Sequence, residues 1–337
     1  FYGYTWITML VGSTSAGFLF LSMFITFGLA IAQQINELKR LALLQQIKLT
    51  EAYQRFVPKQ LLKNLKKDSI LDVNLGDQVN MEMSIMFSDI RSFTSISEKM
   101  SPKENFGFVN TYLNEMGPIV RAHGGYIDKF MGDGIMALFS DSPSETVRAA
   151  VKMQQELERL NLDSVIYKRN PVRVGIGINT GMMMLGTIGE ADRMEGSVIS
   201  DAVNLASRLE GLTKLYKSQI LISEDTYSRL KINMFHTRLV DFVAVKGRSK
   251  AVKIYEVMDG EPADLLNLKL ENLSIFMDAI EMFQCQDITR ALDRFNQCKE
   301  IIPSDGAADY YARRCTKLIK EGWDKNNWDG INHMEIK

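Results

Sequence analysis

The sequence predicts an α+β fold with a ferredoxin-like, split βαβ core, preceded by an apolar helix and a coiled coil and followed by a helical tail. Three observations carry this. From about Met81 to Met258, short β-like runs alternate with amphipathic helical stretches in the order β-α-β-β-α-β. Phe1 to Asn36 contains no Lys, Arg, Asp, Glu or His. Beyond Pro262 the β pattern stops and apolar residues recur at helical spacing. The expected divisions are a transmembrane helix over 1–34, a coiled coil and connector over 35–80, an α+β domain over 81–260 and a tetratricopeptide-like helical tail over 261–337.

Ile7–Ala32 supplies the roughly 20 apolar residues that a bilayer core demands. Tyr2, Tyr4 and Trp6 stand at its outer end, where an aromatic belt belongs. A cleaved signal peptide would show a basic start and a shorter apolar stretch, and neither is present. The first residue is Phe, so further spans or a sensor region are expected upstream. Lys39, Arg40, Lys48, Arg55, Lys59, Lys63, Lys66 and Lys67 follow, against only Glu37 and Glu51. That basic collar predicts a cytoplasmic location for everything downstream and contact with anionic lipid headgroups.

Ile31, Ile35, Leu38, Ala42, Gln45, Leu49, Ala52 and Phe56 alternate steps of four and three. This is the seam of a parallel two-helix coil, with Gln45 as the polar member that fixes register, and Pro58 interrupts it.

The core begins with a β-like run at Met83–Phe87 that ends at Ser88-Asp89. Ser101-Pro102 provides an N-cap and a first-turn proline for a helix carrying Phe106, Val109, Tyr112, Leu113 and Met116. Gly125–Phe130 and Ile135–Phe139 flank Met131-Gly-Asp-Gly134, which predicts a β-hairpin. A second helix is expected from about Ser144 to Leu160, and a strand over Val172–Ile178. In the tail, Phe276, Ala279, Ile280 and Phe283, then Ala291, Leu292 and Phe295, mark a helical hairpin. A single such repeat is too small to stand alone and is expected to pack on its neighbour.

In this topology the first strand lies antiparallel beside the third, so the end of one meets the start of the other. Asp89 and Asp133 therefore converge on one sheet edge. Hard cations such as Mg²⁺ take oxygen ligands, usually one or two carboxylates plus substrate phosphates, and paired ions assist phosphoryl transfer. The backbone of Ile90-Arg91-Ser92-Phe93-Thr94 is a candidate phosphate cradle.

The composition excludes several classes. The 337 residues are 46% hydrophobic and 24% charged, with formal net charge −1. That globular average rules out wholesale disorder and collagen-like repeats, and the absence of a basic excess argues against nucleic acid as a partner. Cys285, Cys298 and Cys315 form no CxxC pair and, with three scattered histidines, leave too little for zinc. They read as reduced, buried thiols of a cytosolic compartment.

Phe87-Ser-Asp-Ile-Arg-Ser-Phe-Thr94, Lys129-Phe-Met-Gly-Asp-Gly134, Arg173-Val-Gly-Ile-Gly-Ile-Asn-Thr-Gly181 and Val203-Asn-Leu-Ala-Ser-Arg-Leu-Glu210 together resemble the class III nucleotidyl cyclases, over about residues 81–258. In that family two domains pair head to tail and share each active site. The resemblance implies that Asp89, Asp133 and the Ile90 carbonyl hold two divalent cations, Mg²⁺ or Mn²⁺, per site. It implies that Asn204 orients the ribose and Arg208 stabilises charge at the α-phosphate; four residues apart on a helix, they share a face. Arg173 and Lys246 resemble the residues that hold the β- and γ-phosphates, and Ser92, Phe93 and Thr94 stand in the triphosphate loop. Arg248 and Lys250 lie close enough to substitute for Lys246.

Lys129 matches the lysine that reads adenine, where guanylate cyclases carry an acid. Ser197 matches the partner position, occupied by Asp in many cyclases and by Thr in a bacterial subgroup; a hydroxyl both accepts and donates, so ATP preference rests mainly on Lys129. Ser200 departs from the Gly of related bacterial loops. The resemblance thus implies a bacterial inner-membrane adenylate cyclase, homodimeric, with its catalytic domain in the cytoplasm. It would convert ATP to 3′,5′-cyclic AMP and pyrophosphate by attack of the 3′-OH on the α-phosphate. Guanylate cyclase is the first alternative, and an inactive dimerising module the second. Diguanylate cyclases share the core, but their Gly-Gly-[Asp/Glu]-Glu-Phe hairpin is absent. Similar tails ending near a Trp-Asp-Gly, here Trp328-Asp329-Gly330, occur in bacterial cyclases.

Overall fold

The structure, a computed structural model, describes residues 2–54, 56–166, 171–190, 192–244, 251–325 and 328–333, with the side chains of 2–17, 20 and 163–166 outside the description. The chain divides into two compact units, Phe1–Lys59 and Gln60–Lys337.

The first unit is one helix, α1 (Tyr2–Tyr53). Its apolar seam is open: Ile31, Ile35, Leu38 and Leu49 are all exposed. Among the described residues no helix is long and apolar enough to cross a membrane. The expected span Ile7–Ala32 falls in part on side chains outside the description.

The second unit opens with α2 (Lys59–Asn64), whose Leu61 and Leu62 are buried. Then follow β1 (Gln78–Ile90), α3 (Phe93–Ser97), α4 (Pro102–Ala122), β2 (Gly125–Met131), β3 (Gly134–Phe139), α5 (Pro143–Ile166) and β4 (Val174–Glu190). These realise the split βαβ order. β1 is central, antiparallel to β3 on one side and to β4 on the other. Ser101 caps α4 as expected, and it does so in a reciprocal capping box with Glu104.

Three features differ from the expectation. β1 starts at Gln78, before Met83, and β4 continues to Glu190, well past Ile178. The extension forms an arm with an additional strand, β5 (Arg193–Ile199). After α6 (Asp201–Tyr216) the sheet gains β6 (Ile220–Ser223), then, past α7 (Glu224–Tyr227), β7 (Thr237–Val243) and β8 (Val252–Val257). The path is β2-β3-β1-β4-β6-β8-β7, with β5 on β4.

The tail comprises α8 (Ala263–Glu271), α9 (Leu273–Gln284), α10 (Ile288–Ile301) and α11 (Gly306–Glu321). As expected of a lone repeat, it does not stand free. Phe276, Phe283, Phe295 and Tyr311 share a core with Leu209 and Tyr216 of α6 and Val240 of β7. Arg238 of β7 is buried between Glu256 of β8 (2.5 Å) and Asp305, the α11 N-cap (2.7 Å), and lies over the Phe276 ring. The buried Asp241 carboxylate accepts from Tyr216, from Tyr311 (2.6 Å) and from Asn332 (2.9 Å). Trp328-Asp329-Gly330 turns the chain back so that Asn332 bridges to Val243. Cys298 and Cys315 are free and buried in this core, but Cys285 is exposed. The expectation of three buried thiols is corrected there, because Cys285 caps the end of α9 instead of lying on its buried face.

Candidate active site

The two aspartates meet as the topology dictates. β1 and β3 pair with Ser88 opposite Ile135, so Asp89 lies beside the β2–β3 turn. That turn is the two residues Gly132-Asp133, with Gly132 at φ +68°, a value suited to glycine. Asp133 Oδ2 accepts the Ile90 N–H at 3.0 Å, which clasps the hairpin to the end of β1. A Cβ at Gly134 would sit a tight 3.3 Å from the Ser88 and Met131 carbonyls and in ordinary contact, 3.5 Å, with Asp89 Oδ1, which shows how closely the turn and the end of β1 approach. Burial, and then the charge of Asp89, push Asp133 up to about 6. Burial and the neighbouring charge make Asp133 costly to ionise, and a cation between the two carboxylates relieves that cost. The donor set of two carboxylates and a nearby backbone carbonyl suits a hard divalent cation.

Beyond Ile90 the chain turns at Ser92, which has φ +56° and caps α3 through its backbone alone. Ser92 and Thr94 are exposed, and Phe93 stacks on Phe108 with ring centroids 6.3 Å apart. The Arg173 carbonyl accepts the Arg91 N–H at 2.8 Å, placing exposed Arg173 beside this loop. Lys246, with Arg248 and Lys250, lies outside the described residues.

A second group forms where β2 meets the arm. Lys129 Nζ donates to Glu195 Oε1 at 2.8 Å and to Ser197 Oγ at 3.3 Å, and lies 3.5 Å from Asp128 Oδ2. Partial burial opposes the Lys129 charge, but Glu195 and Asp128 hold it above the ordinary lysine range. Burial pushes Asp128 up to about 6, against the pull of Lys129. Glu195 is a functional candidate that sequence reasoning missed. It stands two residues before Ser197 on one strand, hence on the same face, and that alternation was its available signal.

α6 carries the third group. Ser200 is its N-cap: its hydroxyl accepts from Ala202 N (3.1 Å) and donates to the Met182 carbonyl (2.8 Å), pinning the helix start to β4. Leu205, Leu209, Leu212 and Tyr216 are buried, while Asn204 is exposed and Arg208 half-buried. Neither Asn204 nor Arg208 makes a side-chain hydrogen bond or ion pair to the described residues. The glycines of the Arg173–Gly181 stretch explain how the helix lies so close. A Cβ at Gly177 would sit 2.1 Å from Glu210 N, and one at Gly175 2.1 Å from Thr213 Oγ1. Further along α6, Lys214 Nζ reaches Asp89 Oδ2 at 3.2 Å, a contact between residues 125 positions apart that no local pattern encodes.

The chain belongs to the family described as the adenylate and guanylate cyclase catalytic domain, which matches residues 76–259. It is 40% identical over 273 residues to the terminal-differentiation specific adenylate cyclase of Dictyostelium discoideum, covering 79% of this chain and 13% of that protein. It is 40% identical over 238 residues to an adenylate cyclase of Anabaena cylindrica, covering 68% and 47% respectively. The chain thus spans less than half of the length of either relative. A bacterial light-regulated adenylyl cyclase shares the fold, with a TM-score of 0.56 and 24% identity over 66% of this chain and 64% of that one.

Proposed function

We propose that the protein is a homodimeric, membrane-anchored adenylate cyclase, forming 3′,5′-cyclic AMP and pyrophosphate from ATP. The observation that carries this reading is the Lys129–Ser197 contact. A cationic donor beside a hydroxyl suits the N1 acceptor and the exocyclic amine of adenine, and Lys129 stands where guanylate cyclases carry an acid. The 40% identity to two proteins named adenylate cyclases supports the same choice of base.

In this reading Asp89, Asp133 and the Ile90 carbonyl would hold the divalent cations, which when bound neutralise the phosphates and favour ionisation of the 3′-OH. Lys129 and Ser197 fix the base, Asn204 the ribose, and Arg208 offsets the charge that grows at the α-phosphate. Arg173 and Lys246 hold the β- and γ-phosphates, and the Ser92-Phe93-Thr94 backbone lines the triphosphate. Positioning and charge neutralisation carry the reaction, as in phosphoryl transfer generally.

Among the described residues the groups around Asp89 and around Lys129 share no hydrogen bond or ion pair, and the side chains of Asn204 and Arg208 make none. This favours sites completed by a second copy. An apolar surface is available for it: Met182, Ile188, Met194 and Ile199 of the arm and Phe130 and Met131 of the hairpin are all exposed. The open α1 seam supports a parallel coil that joins the same two chains, and the uncharged run before it supports an anchor in a bacterial inner membrane with the catalytic unit in the cytoplasm.

Chromatography of products from purified protein given ATP or GTP with Mg²⁺ or Mn²⁺ tests the reading. Cyclic AMP from ATP is the expected result. Cyclic GMP as the main product would establish a guanylate cyclase, and no cyclic product would establish an inactive signalling module.

A further inference from the structure

We propose that Lys214 is the resident counter-cation of the metal site. Its ammonium occupies Asp89 until a divalent cation displaces it, so α6 sets the metal affinity of the resting enzyme. The inference rests on Asp89 and Asp133 being the metal carboxylates.

Lys214 Nζ lies 3.2 Å from Asp89 Oδ2 and 3.5 Å from Glu210 Oε1, one turn back on the same helix. The Lys214 side chain is half exposed and that of Asp89 one-third exposed, at 50% and 34%. The ammonium can therefore leave for water without unfolding anything. Glu210 gives it an alternative partner, which keeps it on α6 after it releases Asp89. No other Lys or Arg makes an ion pair with Asp89 or Asp133 among the described residues. A single positive charge there relieves part of the repulsion between the two acids, and a divalent ion entering the site must displace it. An exposed ion pair of this kind is worth up to about a fivefold change in binding.

The test is Mn²⁺ titration of the purified full chain without nucleotide, read by the electron paramagnetic resonance signal of free Mn²⁺. Lys214→Gln and Lys214→Met should each bind Mn²⁺ more tightly than the natural chain, by about twofold to fivefold. Lys214→Arg, which keeps the charge, should stay close to the natural value. Circular dichroism melting reports whether each variant is folded, and two neutral variants guard against the failure of one. Unchanged or weaker Mn²⁺ binding in a folded neutral variant overturns the proposal, as does an equal gain in Lys214→Arg. Asp89→Asn separates this from the underlying reading: if it leaves Mn²⁺ binding intact, the metal-site assignment fails, and the role of Lys214 with it.

Discussion

Lys129 Nζ, on the strand that leads into the Gly132-Asp133 turn, lies 3.3 Å from Ser197 Oγ on the arm, with Glu195 at 2.8 Å on its other side. One end of the proposed base-reading pair therefore comes from the hairpin and the other from a strand far along the chain. The Ser197 oxygen already accepts from Lys129, so its remaining lone pair and its proton are what a purine would meet.

Lys129→Glu should reduce cyclic AMP formation by about 100-fold or more, because it replaces a donor with an acceptor facing the same ring edge. Ser197→Ala should cost far less, on the order of threefold to tenfold, since a single neutral hydrogen bond is lost. Both are checked by kcat/KM for ATP and for GTP. Equal losses in the two variants would mean that Lys129 does not dominate base recognition.

Gly177→Ala should destabilise the protein by about 1–3 kcal/mol or more, because its Cβ would fall 2.1 Å from Glu210 N and push α6 from the sheet. Denaturant unfolding measures the loss. Activity should fall with it, as Asn204 and Arg208 ride on the displaced helix.

The tail should be acid-sensitive. Burial alone would raise Asp305 and Glu256, but Arg238 holds Asp305 below the ordinary carboxylate range, and Arg238 with Lys269 does the same for Glu256. A depressed folded-state pKa stabilises fully above the unfolded value, about 4, and that contribution vanishes as pH falls through the folded value. The thermal midpoint should therefore drop below pH 4 more steeply than in an Asp305→Asn variant. At neutral pH that variant should itself lose about 3–5 kcal/mol, because Arg238 keeps its burial and loses a partner.

Inserting one residue after Leu49 turns the α1 seam by about 100° relative to the catalytic unit. If the rod transmits alignment from the membrane side, basal cyclic AMP formation or its regulation should change in a vesicle-reconstituted assay. Unchanged behaviour would make the rod a passive tether.

The sequence made the meeting of Asp89 and Asp133 legible because element order alone forces the end of β1 against the start of β3. The hairpin, the Ser101 cap and the helical tail were legible for local reasons: turn chemistry, capping and periodicity. Glu195, Lys214 and the β4–β5 arm were not. Glu195 and Lys214 matter through partners 66 and 125 residues away; alternation with Ser197 puts Glu195 on the right strand face, but no local pattern names Lys129 or Asp89 as the partner. Arg193–Ile199 carries Glu, Gly and Ser among its strand positions, so its β character depends on pairing with β4. Gly175 and Gly177 carry no local signal of their role, which is to let α6 lie against the strand.

The most direct test of a cyclase site built from two chains uses Asp89→Ala and Arg208→Ala, each inactive alone. Mixed so that chains exchange, they should regain cyclic AMP formation, up to about half of the natural activity in the mixed dimer, because one of its two sites is then intact. A folded mixed dimer that forms no cyclic AMP would contradict the account.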